Sequence, residues 1–294
     1  MQKNVNVGII FILAATIFGA LIGLFGKLGS METSVPIALF LRFGLPALIV
    51  LPGALQFKWH FFHWGMLKWL LLRSGIVFLT QICYFYYLSK GSLINAVLLI
   101  STCPLFMPIL GRIFLKHKVK KKTVFCLIIG FSGVALILKP TSGLLDLPAL
   151  VGLCSGLFLA CTQLTLHKVT KMISIAPQLC LVFGICAFLS LGVVLAVPGQ
   201  LSSYVWNDTS LVLIFLALGF SSVCNQILRS LAYRHVNNPS TLAPFMYMTL
   251  IFTGILQYFV FKELPDFMSI MGSILIVGAA LFMGRWRKRP PVGG

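Results

Sequence analysis

Ten stretches of this chain, each of close to twenty mostly apolar residues, leave little room for a soluble fold. They run at about 6–26, 36–55, 67–89, 93–115, 121–138, 148–170, 176–198, 210–233, 239–261 and 267–284. Roughly 20 apolar residues in a helix cross the hydrocarbon core of a bilayer. Backbone amides in lipid must be satisfied inside their own segment, so runs of this length are expected to be helices. The connections are short, and 10% of the residues are charged, against about 25% in a soluble domain. The first run is long for a signal-peptide core and lacks a small-residue cleavage site after it, so it counts as a span. The expectation is an all-α integral membrane protein with ten transmembrane helices.

The formal net charge of +18 does not point to nucleic acid. The basic residues lie in short loops between apolar runs, not along a groove or face. With the N-terminus inside, fifteen lysines and arginines fall on the cytoplasmic side, four on the opposite side, and Arg42, Arg73, Arg112 and Arg229 within spans. That bias predicts a cell (inner) membrane protein with both termini cytoplasmic. The five acidic residues, Glu32, Asp146, Asp208, Glu263 and Asp266, then lie outside the spans.

The eight cysteines sit in apolar runs without a Cys-x-x-Cys pair, as small packing residues do. His60 and His63 have no carboxylate or cysteine partner in their loop, so no metal and no cofactor is expected. Gly130-Phe131-Ser132-Gly133 matches the serine motif of rhomboid-type proteases on the surface. Its nearest candidate base, His167, is offset by about 12 Å in depth at about 1.5 Å per residue. That separation argues against an enzyme.

The chain also echoes itself. Phe43-Gly44 recurs as Phe183-Gly184, Thr80-Gln81 as Asn225-Gln226, and Leu115-Lys116 as Phe261-Lys262. Gly133-Val134-Ala135-Leu136-Ile137 recurs as Gly278-Ala279-Ala280-Leu281-Phe282. The offsets run from 140 to 146 residues. Five spans per half is an odd number, so the second half enters the membrane inverted. The expected architecture is two inverted five-helix repeats, residues 1–140 and 141–294, around a central cavity.

Polar groups at membrane depth mark the candidate site. On the third span Val77, Gln81, Tyr84 and Leu88 share a face. On the eighth, Ser222, Asn225, Gln226, Arg229 and Tyr233 do so. The repeat superposes Gln81 on Gln226 and Tyr84 on Arg229. Arg42, about six residues inside its span, suits a carboxylate or phosphate on a substrate, which a guanidinium grips bidentately. Thr102, Gln163 and Tyr247 complete the predicted substrate-binding set. Arg73 and Arg112 lie near span ends and are expected to snorkel, and Tyr86 and Tyr87 to join an interfacial aromatic belt. Pro104 and Pro108 in the fourth span, and Pro244 in the ninth, break helices in paired positions and are expected to serve gating. Gly19-x-x-x-Gly23 and Gly152-x-x-x-Gly156 are expected to let helices approach closely.

Leu41-Arg42-Phe43, the Pro104-containing span ending Phe114-Leu115-Lys116, and Gly130-x-x-Gly133-Val134 resemble the drug/metabolite transporter superfamily, EamA type. Phe261-Lys262-Glu263 with Gly272 and Gly278 echoes them in the second half. The chain departs from the family where an acidic residue often follows the fourth span and His117 stands here. The resemblance implies a secondary transporter working by alternating access. Its expected partners are the lipid bilayer and a small-molecule substrate: an amino acid or derivative such as S-adenosylmethionine, or an organic acid. A homodimer is compatible with the sequence. The alternatives are an intramembrane enzyme and a non-transporting structural subunit.

Overall fold

A computed structural model of the full chain describes all residues except 1–4, 57–63, 104, 107–108, 111–120, 139–146, 197–208, 237–241, 263–265 and 288–294. The described residues hold eleven helices: α1 (Val5–Glu32), α2 (Val35–Leu55), α3 (Trp64–Lys90), α4 (Leu93–Ile100), α5 (Lys121–Leu138), α6 (Leu147–Val169), α7 (Ile175–Ala196), α8 (Thr209–Arg234), α9 (Ala243–Met246), α10 (Met248–Phe261) and α11 (Phe267–Arg287). Six of them, α1, α2, α3, α6, α7 and α8, are long and apolar enough to cross a membrane unaided. Their bounds fall within a few residues of the sequence expectation, except that α1 continues six residues further, to Glu32.

Two expected spans are interrupted. The fourth breaks after Ile100, where Ser101 and Thr102 form a turn and Leu105 N–H bonds to Thr102 O at 2.8 Å. The ninth divides at Tyr247, where Phe245 N–H bonds to Leu242 O at 3.1 Å and Leu250 N–H to Tyr247 O at 3.0 Å. These are three-residue spacings that tighten the turn and leave four-residue helical bonds unmade. Pro104 and Pro108 lie outside the described residues. Pro244 sits in the first turn of α9, where a proline costs no helical bond.

The bundle has apolar residues outside and polar residues within. Phe188, Leu48 and Phe220 are 75%, 65% and 58% exposed, while Arg73, Ser155 and Gln178 are fully buried. Polar groups thus share the interior with a large apolar core, while the outward-facing apolar side chains suit lipid as the solvent. The helices pack in definite pairs: α1 along α8, α2 along α7, α3 along α6, α4 on α10, and α5 along α11. Both expected glycine pairs sit at close approaches. A side chain at Gly152 would meet Leu99 and Tyr87, and one at Gly23 would meet Leu93 and the Tyr84 hydroxyl.

Helix ends are held by side chains from distant segments. Lys27 Nζ donates to Leu88 O at 2.9 Å and to Gly91 O at 2.8 Å, placing a cation at the C-terminal end of α3. Gln257 Oε1 accepts from Ile94 N–H at 2.6 Å at the start of α4. Hydrogen bonds to a charged donor contribute about 1.5–3 kcal/mol net. Lys27→Met is therefore expected to lower the apparent melting temperature by several degrees, while Lys90→Met at an exposed position leaves it unchanged. Equal melting of the two variants would show that the Lys27 cap contributes nothing.

Candidate functional site

The third-span face forms because residues three and four apart stack on one side of a helix. On α3 that face carries Arg73, Val77, Gln81 and Tyr84. On α8 the equivalent face carries Ser222, Asn225, Gln226 and Arg229. The two faces, with α1, α2 and α6, enclose one cavity of two lobes. The larger lobe, of about 130 Å³, is lined by Arg42, Gln81, Tyr84, Asn225, Arg229 and Tyr247 among others. The smaller, of about 60 Å³, is lined by Arg42, Arg73, Gln81, Gln163, Gln226 and Arg229 among others. Arg42, Gln81, Asn225 and Arg229 are common to both lobes.

Eight of the nine residues expected to meet a substrate thus line this cavity. Thr102 does not. It is fully buried, and its hydroxyl donates to Leu99 O at 2.7 Å within its own turn. Its neighbours Ser101 and Cys103 face the larger lobe instead. The break at Tyr247 lies on the same lobe, with Met246 and Thr249 beside it.

Arg42 is 8% exposed, and its guanidinium carbon stands 5.1 Å from the Phe85 ring centre and 5.9 Å from that of Phe43. Aromatic faces attract cations by about 0.5–2 kcal/mol. Its Nε and Nη1 have no hydrogen-bond partner. Asn225 Nδ2 donates to Ala15 O at 2.6 Å, which pins α8 to α1. Gln81 Oε1, both amide atoms of Gln163 and the Tyr247 hydroxyl are buried without partners. A buried polar atom left unpaired costs about 1–3 kcal/mol, and most of the unpaired buried polar atoms among the described residues belong to side chains that line this cavity.

Arg73 corrects the sequence expectation. It does not snorkel: it is fully buried, lines the smaller lobe, and donates from Nη1 to Thr162 O in mid-α6 at 3.1 Å. Its position eight residues before Gln81, on the same face, was the available signal. Arg112 lies outside the described residues. Tyr87 also differs from expectation. It is 9% exposed and packs over Gly152 between α3 and α6, not at an interfacial belt. Ser132, of the protease-like motif, is exposed on α5 and donates to Ile129 O at 2.8 Å within its own helix. The His60 and His63 pair lies outside the described residues.

Six helices long and apolar enough to span a bilayer, around a cavity lined by arginines, are the arrangement of a multi-span membrane protein. Residues 6–139 match the model of the EamA-like transporter family. It is 26% identical over 226 residues to the pseudopaline exporter CntI of Pseudomonas aeruginosa, covering 74% of this chain and 75% of that one. It is 23% identical over 282 residues to the S-adenosylmethionine uptake transporter of Rickettsia bellii, covering 96% and 94%. A solved crystal structure shares the fold with a TM-score of 0.67 at 15% identity, covering 96% of this chain and 99% of its own.

Proposed function

We propose that this chain is a secondary transporter of a small anionic or zwitterionic organic metabolite. It works by alternating access between two inverted halves, residues 1–140 and 141–294, with both termini cytoplasmic. One observation carries the reading: the buried Arg42 and Arg73 and the partly buried Arg229 line the cavity, and no carboxylate lines it. Cations at membrane depth require a counter-charge or water. An anion on the substrate supplies it, and Gln81 Oε1 and the Tyr247 hydroxyl are free to accept from an ammonium group. One relative's name fits in its carboxylate alone, since S-adenosylmethionine carries an amino-acid carboxylate beside an ammonium and a sulfonium.

The pairing of helices supports the inverted halves. Counted as ten spans, with α9 and α10 together as the ninth, the first packs on the eighth and the third on the sixth. Exchanging each span for the one five places along converts the first of these pairs into the second. It returns the second–seventh, fourth–ninth and fifth–tenth pairs to themselves. A pseudo-two-fold axis has that property. The interruptions at Ser101–Thr102 and at Tyr247 then occupy equivalent places beside the cavity, where hinges would act.

The test is uptake of labelled metabolites by proteoliposomes holding the full chain, preceded by a thermal-shift screen of amino acids, nucleotides and organic acids. Ligands that bind the folded state raise its apparent stability. Anions and zwitterions are expected to shift melting and to be transported, and simple organic cations to do neither. Absence of flux across the whole panel, with the fold intact, would overturn the reading.

A further inference from the structure

Arg73 and Arg229 share a detail that a single anionic group on the substrate does not explain. Arg73 is fully buried, and its Nη1 bond to Thr162 O fixes the plane of its guanidinium. The two atoms it leaves without partners are Nε and Nη2. Arg229, across the smaller lobe on α8, leaves the same two atoms unpartnered. On a guanidinium, Nε–H and Nη2–H form one edge, a fork whose parallel bonds match the two oxygens of a carboxylate or two of a phosphate. Gln163, 1% exposed, lies in the same lobe with its amide nitrogen also unpartnered.

About 60 Å³ between these groups suits one oxyanionic group and not the body of a metabolite. The body has the larger lobe, of about 130 Å³; Arg42 and Arg229 line both lobes, whereas Arg73 and Gln163 line the smaller one alone. Like charges around a small space repel unless an anion lies between them. We propose that Arg73, Arg229 and Gln163 form an oxyanion seat additional to the one at Arg42, and that the substrate carries two oxyanionic groups joined by a short body. This rests on the reading of the cavity as a substrate site and narrows its substrate class to dianions.

Inorganic phosphate offers the same chemistry as a second carboxylate, so the experiment separates the two. The full chain in lipid nanodiscs is titrated calorimetrically with butyrate, with succinate, glutarate and adipate, and with inorganic phosphate. The best dicarboxylate is expected to bind at least about tenfold more tightly than butyrate, the gain from one more charge-assisted pair. Arg73→Gln is expected to weaken dicarboxylate binding about tenfold more than it weakens butyrate binding. Equal affinity for butyrate and every dicarboxylate in the wild type overturns the second seat, whether or not the variant folds. An unchanged dicarboxylate preference in Arg73→Gln overturns its assignment to Arg73. Phosphate binding as tightly as the best dicarboxylate assigns the seat to a free inorganic ion and overturns the dianionic substrate. If none of the probes binds, the anionic reading of the whole cavity falls with it.

Discussion

Arg42→Met is expected to abolish transport while leaving thermal stability unchanged or raised. The two effects share one cause. Arg42 is buried against Phe43 and Phe85, with Nε and Nη1 unpartnered and no carboxylate in any span to neutralise it. Burying an ion costs several kcal/mol even after relaxation, and well-packed apolar replacements of similar volume are often neutral or stabilising. Methionine keeps the contact with the two rings and removes the charge. A gain of about 1 kcal/mol would raise melting by about 2–4 °C in a chain of this size. The same change removes the group that would grip a substrate carboxylate, a loss of about 3 kcal/mol or about 100-fold in affinity. Proteoliposome flux and a melting curve on one preparation decide the matter. Lower stability with flux retained would make Arg42 a structural cation instead.

The helices were legible because their signal is long and one-dimensional. Lipid imposes a minimum length on each apolar run, and α2, α3, α6, α7 and α8 begin and end within a few residues of the sequence expectation. The cavity lining was legible where polar groups recur at helical spacing, as at Gln81 and Tyr84 or Asn225 and Arg229. It was illegible where direction and depth compete. Arg73 stands near enough to a span end for its long side chain to reach water, so position alone favours snorkelling. What overrides this is a carbonyl of α6, Thr162 O, and no feature of α3 announces that partner. Thr102 failed for a different reason. A hydroxyl in a broken turn has a local carbonyl to bond, and Leu99 O takes it before the cavity can. Tyr87 looked interfacial by composition, yet the space left by Gly152 on another helix draws the ring inward. The misses at Arg73 and Tyr87 depend on contacts between segments distant in sequence, and the one at Thr102 on a local bond.

Gly156→Leu is expected to prevent folding, and Gly156→Ala to lower stability markedly, because this glycine sets the distance between α6 and the break in α4. A Cβ at Gly156 would collide with the Thr102 hydroxyl and lie 2.7 Å from Leu99 O. Rotation of Thr102 could relieve the first contact, but Leu99 O is backbone, so α6 must back away from the turn at Ser101–Thr102. Overpacking of this kind costs about 1–3 kcal/mol for small insertions, and leucine adds far more volume than one methyl group. The comparison that isolates sterics is Gly44→Ala in α2, where nothing lies within 4 Å of the added carbon. There, helix propensity alone favours alanine by about 1 kcal/mol. Gly44→Ala should therefore melt at or above the wild type, and Gly156→Ala several degrees below it. If the two alanine variants melt together, close packing of α6 on α4 does not hold the bundle in place. The consequence extends to function, because Ser101 and Cys103 on that turn face the larger lobe. A Gly156→Ala protein that still folds should therefore bind its metabolite more weakly as well, through displacement of the turn and with no cavity side chain changed.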